Sequence, residues 1–205
     1  MFVTEKVFLK KLGTVEYQPT VDAMREFTAR RNSDTADELW LLEHPPVYTL
    51  GLAADATHGP KPDCGIPVVQ VERGGEITYH GPGQVILYTL VDLARRGIKV
   101  KQFVAMLEQS VIDLIGGGAE RKPGAPGIYV GGAKVAALGI RVSRGCAYHG
   151  LALNVDMDLA PFSAIDPCGY PGLQVTQTRD LGMAEGTQIL GRKLAHILVQ
   201  KLEHA

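Results

Sequence analysis

A succession of short β-rich runs, irregularly interrupted by helical patterns, constrains the fold more than any other feature of the sequence. Runs rich in β-branched and aromatic residues and bounded by glycine or proline are typical of strands. They occur at residues 40–42, 47–50, 68–71, 85–90, 128–130, 134–142 and 147–154. Because strands and helices do not alternate strictly, the pattern favours a mixed β-sheet flanked by helices, an α/β fold of the α+β kind, over a doubly wound parallel sheet.

Three segments have the apolar spacing of amphipathic helices. Thr20 is a residue type that caps helices, and it precedes a pattern that ends near Arg30. Residues 100–115 carry apolar side chains at steps of three and four, and Gly116 follows as a stop signal. Residues 189–202 repeat this pattern with leucine at every fourth position. We therefore predict three helices packed on the sheet.

The composition is that of one ordinary globular domain. The chain has 205 residues, of which 45% are hydrophobic, and it contains no repeat, low-complexity tract or interdomain linker. Its 21 Lys and Arg residues balance 22 Asp and Glu residues, so no global field attracts nucleic acid or anionic lipid. We expect a single domain over residues 1–205, with neither nucleic acid nor membrane among its partners.

The sequence also indicates a cytoplasmic, reducing compartment. Charged residues break the apolar run at the N-terminus, and no stretch reaches the roughly 18 apolar residues of a membrane span. The three cysteines, Cys64, Cys146 and Cys168, form neither an even disulfide framework nor a Cys-x-x-Cys pair. Free thiols are therefore available for chemistry.

The segment from Arg73 to Gln84 is the most unusual part of the chain, because four glycines and a proline interrupt it. Such glycines let the backbone approach a ligand closely, but they also occur in ordinary tight turns. Tyr79 and His80 favour the ligand interpretation, because a turn requires neither side chain. The chain lacks the Gly-x-x-x-x-Gly-Lys-Ser/Thr phosphate loop and a dinucleotide-binding glycine pattern, so nothing indicates a nucleotide.

Lys134 lies in a run that we predict to be a strand. Strict alternation would place it on one face with four apolar residues: Ala136, Leu138, Ile140 and Val142. The opposite face would carry Val135, Ala137, Gly139 and Arg141. Apolar surroundings favour the neutral amine of a lysine, as a general base requires. The alternative is a lysine whose stem is buried while its amine extends into water.

Cys168 lies between a proline and a glycine, so we expect it in a turn that presents the thiol. A lone cysteine can equally be an inert small hydrophobe, and it becomes a nucleophile only with an activating partner. Cys64 has a similar setting, so local sequence does not choose between the two.

Cys146 and His149 have the spacing of a metal-ligand pair, but no second pair accompanies them, and we expect no structural zinc. His44 is expected to be a hydrogen-bonded loop histidine, although it could contact a substrate.

Four motifs occur in order along the chain. They are Arg-Gly-Gly-x-x-Thr-Tyr-His-Gly-Pro-Gly-Gln at 73–84, Lys-x-x-x-Leu-Gly at 134–139, His-Gly-x-Ala-Leu-Asn at 149–154 and Pro-Cys-Gly at 167–169. Together they resemble the octanoyltransferases of lipoate biosynthesis. The similarity runs from residue 12 to residue 176 and therefore covers most of the chain. It implies the fold that this family shares with biotin and lipoate protein ligases, a mixed sheet flanked by helices.

The resemblance also implies the chemistry. Cys168 would carry an octanoyl group as a thioester, and Lys134 would activate the thiol and move protons. The donor would be octanoyl-acyl carrier protein, and the acceptor would be a lysine on a lipoyl domain of a 2-oxoacid dehydrogenase complex or on the glycine cleavage H protein. No cofactor is expected, because transfer of an acyl group from a thioester to an amine is downhill. The positions that match the family's substrate-contacting segments are Arg73, Gly74, Gly75, Glu76, Ile77, Thr78, Tyr79, His80, Ala137, Leu138, Gly139, Gly150, Leu151 and Ala152.

Three other functions stay open at the level of sequence. An ATP-dependent lipoate or biotin ligase on the same fold would activate a free acid as an acyl-adenylate and would not need Cys168. A non-catalytic acyl-binding module would carry this cysteine as a spectator. A cysteine hydrolase would need a histidine and an acid beside the thiol, whereas the motifs offer a lysine.

Overall fold

The computed structural model describes residues 6–54, 65–165 and 173–204. Within these ranges the chain forms ten strands, three α-helices and a short 3₁₀ helix. The strands are β1 (Val7–Thr14), β2 (Asp37–Glu43), β3 (Val47–Leu50), β4 (Val68–Gln70), β5 (Ile77–His80), β6 (Gln84–Asp92), β7 (Ala119–Lys122), β8 (Ala125–Val130), β9 (Ala133–Ser143) and β10 (Cys146–Asn154). The α-helices are α1 (Tyr17–Arg30), α2 (Val100–Ile115) and α3 (Thr187–Glu203), and the 3₁₀ helix spans Ala160–Ala164.

Seven of these strands form one mixed sheet, in the order β1-β2-β6-β10-β9-β8-β7. β1 and β2 are parallel, and every other neighbouring pair in this sheet is antiparallel. The other three strands form a small sheet in the order β4-β3-β5, with one parallel and one antiparallel pair. The prediction of a mixed β-sheet flanked by helices is therefore confirmed.

The period of two along β2 supplies two apolar cores, one on each face of the large sheet. On one face, Leu39 belongs to the same cluster as Phe103 of α2 and Leu194 of α3. On the other face, Trp40 belongs to a cluster with Met24 of α1. Full burial of a side chain such as Leu39 contributes about 1.5–3 kcal/mol. The large sheet is thus covered on both faces, by α2 and α3 on one and by α1 on the other.

Each of the seven predicted strands overlaps an observed one, but the sequence patterns do not reveal β1, β5 and β7. Both β1 and β7 are edge strands of the large sheet. Charged residues interrupt their apolar positions, at Lys10 and Lys11 in β1 and at Glu120 and Arg121 in β7. Charged side chains are common on edge strands, where they discourage pairing with another molecule. β5 lies inside the glycine-rich segment, whose composition is typical of loops.

The three predicted helices are confirmed, with one error at a boundary. Gly116 ends α2 with a φ of 83°, and its N–H donates to the Ile112 carbonyl (2.8 Å). However, α1 begins at Tyr17, so the prediction of a cap at Thr20 is wrong. The Thr20 hydroxyl donates to the Glu16 carbonyl (2.6 Å), a bond that satisfies a threonine inside a helix. None of the described helices combines the length and the apolar character needed to cross a membrane.

Candidate active site

A pocket of about 530 Å³ lies on the large sheet. Neighbouring strands β6, β10 and β9 supply its floor, and residues 73–78 together with His80 supply much of its cover. Strand pairing arranges the floor side chains in three rows: Gln84–Asn154, Ile86–Ala152–Ala137 and Tyr88–Gly150–Gly139. Because alternate residues of a strand share a face, successive rows lie about 7 Å apart. The first row is polar and the second is apolar, so the floor suits an elongated ligand with one polar end.

Lys134 lies beside the polar row. Its N–H donates to the Gln174 carbonyl (2.8 Å), and its carbonyl accepts from the Thr176 N–H (2.9 Å). The Thr176 carbonyl in turn accepts a bond from the Asn154 side-chain amide (3.0 Å). Residues 174–176 are therefore bonded to the backbone of Lys134 on one side and to the polar row on the other.

The Lys134 side chain is enclosed, with only 4% of the residue exposed. Its Nζ donates to the Pro126 carbonyl (3.2 Å) and lies 5.3 Å from the centre of the Tyr129 ring. Gly127 has a φ of 137°, and a Cβ there would approach the lysine Cε to 3.0 Å, so a glycine leaves room for this side chain. The alternative of an amine that extends into water is therefore wrong.

A β-bulge changes the faces predicted for β9. The register between β8 and β9 shifts between Lys134 and Ala136, which gives β9 one extra residue. Val135 and Ala136 both join the apolar core, whereas Ala137 and Gly139 line the pocket with Lys134. The prediction that Lys134 shares its face with the apolar residues of this run is wrong, because the bulge breaks the alternation on which it rests. Those apolar residues, Ala136, Leu138, Ile140 and Val142, pack into or against the core.

The cover of the pocket is tied to the small sheet and to β9. The buried Arg73 guanidinium donates through Nη2 to the carbonyl and hydroxyl oxygens of Thr49 (2.7 and 2.8 Å). The Gly74 N–H donates to the Ile140 carbonyl (3.0 Å). A Cβ at Gly139 would lie 2.8 Å from the Gly74 carbonyl oxygen, so this approach requires glycine.

The residues predicted to contact substrate line the pocket, with one exception. The Tyr79 ring packs against Tyr48 and Phe162, at centroid distances of 5.4 and 5.5 Å, and lies outside the lining. Gly150 lies close to the neighbouring strand, because a Cβ there would meet the Leu87 carbonyl oxygen at 2.1 Å. The structure thus brings the three substrate-contacting segments to one cavity, and their contact with substrate stays a prediction.

Cys168 and Cys64 lie outside the described residues, so the choice between them as nucleophile stays a prediction. Cys146 is described, and it is buried in β10 away from the pocket lining. Burial raises the pKa of the Cys146 thiol, which disfavours its thiolate. Among residues 6–54, 65–165 and 173–204, no three His, Cys, Asp or Glu side chains are grouped to hold a metal ion.

Buried histidines stand close to the pocket and are neutral near pH 7. His44 donates through Nδ1 to the Val15 carbonyl (2.7 Å) and accepts at Nε2 from the Tyr88 hydroxyl (2.8 Å), as expected of a hydrogen-bonded loop histidine. Burial lowers the pKa of His44 to about 4. His80 donates through Nδ1 to the Gln84 side-chain oxygen (2.8 Å), and burial, assisted by His44, lowers the pKa of His80 to about 3.

The side chains of the polar row continue the hydrogen bonding from His80 towards Lys134. The Gln84 amide donates to the Asn154 side-chain oxygen (2.9 Å) and to the Tyr79 carbonyl (3.2 Å). A hydrogen-bonded chain therefore runs from His80 through Gln84 and Asn154 to the segment bonded to Lys134. The polar pocket-lining residues absent from the predicted set are Tyr17, Gln84, Tyr88, His149 and Asn154. Asn154 could have been identified from the sequence, because side chains alternate along a strand and residue 154 shares a face with Gly150 and Ala152.

Comparison with known proteins identifies the family. Residues 17–190 match the family described as lipoyl protein ligase A/B catalytic domain. The chain is 55% identical over 203 residues to an octanoyltransferase of Azoarcus sp. (strain BH72), which covers 98% of this chain and 89% of the relative. It is 58% identical over 193 residues to an octanoyltransferase of Thiobacillus denitrificans, with 93% and 88% covered.

Solved structures agree on the fold. A bipartite lipoate protein ligase from Thermoplasma acidophilum aligns with a TM-score of 0.77 at 15% identity, over 96% of this chain and 84% of that one. A lipoate-protein ligase A bound with ATP aligns with a TM-score of 0.70 at 14% identity, over 98% and 86%. The predicted fold and enzyme class are confirmed, and the chain is not a non-catalytic module. The chain belongs to the octanoyltransferases, a family of acyltransferases built on the lipoyl protein ligase A/B catalytic domain.

Proposed function

We propose that the protein transfers an octanoyl group from octanoyl-acyl carrier protein to a lysine of a lipoyl domain, by way of a thioester on Cys168. The type of reaction follows from the family. The observation that carries the residue assignment is the bonding of Lys134 to Gln174 and Thr176. This bonding brings Gln174, which follows Cys168 by only six positions in the sequence, to the backbone of the enclosed lysine.

Lys134 is the proton-transfer partner in this proposal. A free thiol has a pKa of about 8.5, and the thiolate is the nucleophile. The Lys134 amine takes the proton of Cys168, and the thiolate attacks the carrier thioester. The carrier leaves as a thiol with the proton that Lys134 returns. In the second half-reaction the lipoyl-domain amine attacks the Cys168 thioester, Lys134 accepts the amine proton, and the Cys168 thiol is restored.

The apolar part of the pocket floor binds the acyl chain. An octanoyl group extends about 9 Å from its carbonyl carbon to its methyl carbon, given bond lengths near 1.5 Å. The Lys134 side chain extends from the polar row to the second row, because a Cβ at Gly127 would lie 3.0 Å from the lysine Cε and 2.8 Å from the Ala136 carbonyl oxygen. With its carbonyl beside the Lys134 amine, the chain starts at the row of Ala152 and Ala137 and reaches Gly150 and Gly139, about 7 Å further on. The absence of side chains at these two glycines leaves the space that the chain occupies. Burial contributes about 0.8 kcal/mol per CH₂, so several kcal/mol of binding are available.

The acceptors in this proposal are lipoyl domains of 2-oxoacid dehydrogenase complexes and the glycine cleavage H protein. The reaction is then the first step of endogenous protein lipoylation. We place it in the cytoplasm, where the free thiols of this chain stay reduced. Residues 1–205 act as one catalytic domain in this proposal.

The test separates this reaction from an ATP-dependent ligation. The protein is incubated with octanoyl-acyl carrier protein and an apo lipoyl domain, without ATP or magnesium, and the intact mass of the lipoyl domain is measured. We expect the domain to gain one octanoyl group. A lipoyl domain whose acceptor lysine is replaced by arginine is the control and should gain none. Modification that requires free octanoate, ATP and magnesium would show a ligase instead.

A further inference from the structure

His149 lies on β10 with a left-handed backbone, at a φ of 61°. Strand alternation would turn its side chain to the face of Ala147 and Leu151, which is the apolar core. Instead the ring stacks on Tyr148 with 5.2 Å between centroids and meets Tyr88 edge-on at 5.9 Å, and it lines the pocket. Histidine is among the residues that tolerate a left-handed φ, although at a cost. This backbone conformation therefore turns the imidazole out of the core and into the pocket.

The imidazole of His149 has no hydrogen bond to any described residue. The residue is 1% exposed, and neither ring nitrogen has a partner within the part of the chain that the structure describes. Burial, assisted by the Arg73 guanidinium, lowers the pKa of His149 to about 3, so the neutral ring presents one donor and one acceptor at neutral pH. By contrast, His44 and His80 both have hydrogen-bond partners. Buried polar groups are nearly always satisfied, and a pocket ligand can supply the bonds that the chain does not.

His149 stands at the far end of the pocket floor from Lys134. It precedes Asn154 of the polar row by five residues along β10, which corresponds to about 17 Å. Its ring contacts Tyr88, in the third row of the floor. An octanoyl chain whose carbonyl lies beside the Lys134 amine, at the second row, extends about 9 Å and brings its terminal carbon to this third row, about 7 Å further on. The His149 ring therefore lies near the end of the acyl chain and not near the thioester.

We propose that His149 forms a hydrogen-bonding subsite for the end of the acyl chain, which admits medium-chain acyl groups with a hydroxyl on their terminal carbon. The inference rests on the proposed function, because Lys134 defines which end carries the thioester. A hydroxyl both donates and accepts, so it matches a neutral imidazole in either tautomer. An apolar pocket end would instead exclude a hydroxyl, because a buried hydroxyl without a partner is unfavourable. His149 thus widens the substrate class beyond plain fatty acyl groups.

The test uses two matched pairs. The substrates are 8-hydroxyoctanoyl and nonanoyl groups on the same acyl carrier protein, which have equal length and differ in a terminal hydroxyl or methyl. The variants are His149→Asn and His149→Leu, which have similar shape and differ in hydrogen bonding. Transfer to the lipoyl domain gives kcat/KM for each substrate, and the hydroxyl-to-methyl ratio is compared among the proteins. The ratio cancels any loss of folded enzyme, which matters because leucine tolerates the left-handed φ poorly.

We expect the hydroxyl-to-methyl ratio to fall roughly three- to tenfold in His149→Leu and to stay near the wild-type ratio in His149→Asn, as the loss of one hydrogen bond predicts. An equal ratio in all three proteins would overturn the subsite. If wild-type protein transfers octanoyl and nonanoyl groups but rejects the hydroxylated chain, the subsite is wrong while the proposed function stands. If octanoyl itself is not transferred, the proposed function fails first.

A second measurement needs no variant. The ¹⁵N resonances of the His149 ring are recorded in the wild-type protein after it is loaded with each acyl group. Loading with 8-hydroxyoctanoyl should shift these resonances, because a new hydrogen bond changes the electron density at nitrogen. Loading with nonanoyl should shift them much less. Equal shifts with the two groups would contradict a bond between the hydroxyl and His149.

Discussion

Replacing Gly139 with alanine should disturb the cover of the pocket. The new Cβ would lie 2.8 Å from the Gly74 carbonyl oxygen and 3.2 Å from Arg73 Cδ, whereas favourable contacts lie near 3.5–4.0 Å. Gly74 cannot easily retreat, because its N–H is bonded to Ile140 and its carbonyl accepts from Arg73 Nη1 (2.9 Å). Overpacking of this kind costs about 1–3 kcal/mol, which for a chain of this length lowers the melting temperature by roughly 2–12 °C.

The added methyl group also narrows the third row of the floor, so transfer of long chains should suffer more than transfer of short ones. The assay combines thermal unfolding with kcat/KM for hexanoyl and octanoyl carrier proteins. We expect a lower melting temperature and a larger loss for octanoyl in Gly139→Ala. Gly117→Ala is the matched control, because a Cβ at Gly117 meets no atom within 4 Å. An unchanged melting temperature together with an unchanged octanoyl-to-hexanoyl ratio in Gly139→Ala would refute this reasoning.

Three further perturbations test the proton partner, the polar row and the buried histidines. Lys134→Ala should slow alkylation of Cys168 and move its pH profile upward, and Lys134→Arg should rescue little, because a guanidinium cannot give up a proton. An unchanged profile in both would remove the lysine from the mechanism. Asn154→Ala should lower octanoyl transfer and cost about 1 kcal/mol or more of unfolding free energy in urea titrations, because it breaks both side-chain hydrogen bonds of a buried residue. Since burial lowers the pKa of His80 and of His149 to about 3, the unfolded chain binds more protons below about pH 6.5, and the unfolding free energy should fall as pH drops towards 3. His149→Asn should make the unfolding free energy depend less on pH in this range. An equal dependence in the variant and in wild-type protein would count against a buried neutral ring.

The regular elements of the interior could be predicted from the sequence because their apolar periods are strong. The bounds of α2 follow from the spacing of Phe103, Leu107 and Val111, all of which are buried. The edge strands β1 and β7 could not be predicted in this way. Their residues are mostly exposed, and they are strands because β2 and β8 pair with them, which is information from distant parts of the chain.

The candidate site could be predicted in its residue types but not in its geometry. Motifs bring Lys134 and His80 to attention, and both line the pocket. The bulge beside Val135 arises from pairing between β8 and β9, so alternation along the sequence misplaces the neighbours of the lysine. His149 faces the pocket only because its φ is left-handed, and no local sequence pattern predicts that backbone conformation. Register and backbone strain are properties of the fold, and they decide which side chains meet.

The measurement that most directly tests the central claim identifies the thiol that carries the acyl group. Wild-type protein is mixed with octanoyl-acyl carrier protein and no acceptor, and its intact mass and peptides are analysed. We predict a gain of one octanoyl group through a bond that hydroxylamine cleaves, on the peptide that contains Cys168. Cys168→Ser should lose this adduct and nearly all transfer, while Cys64→Ser and Cys146→Ser should stay close to wild type. An adduct that persists in Cys168→Ser and vanishes in Cys64→Ser would contradict the account.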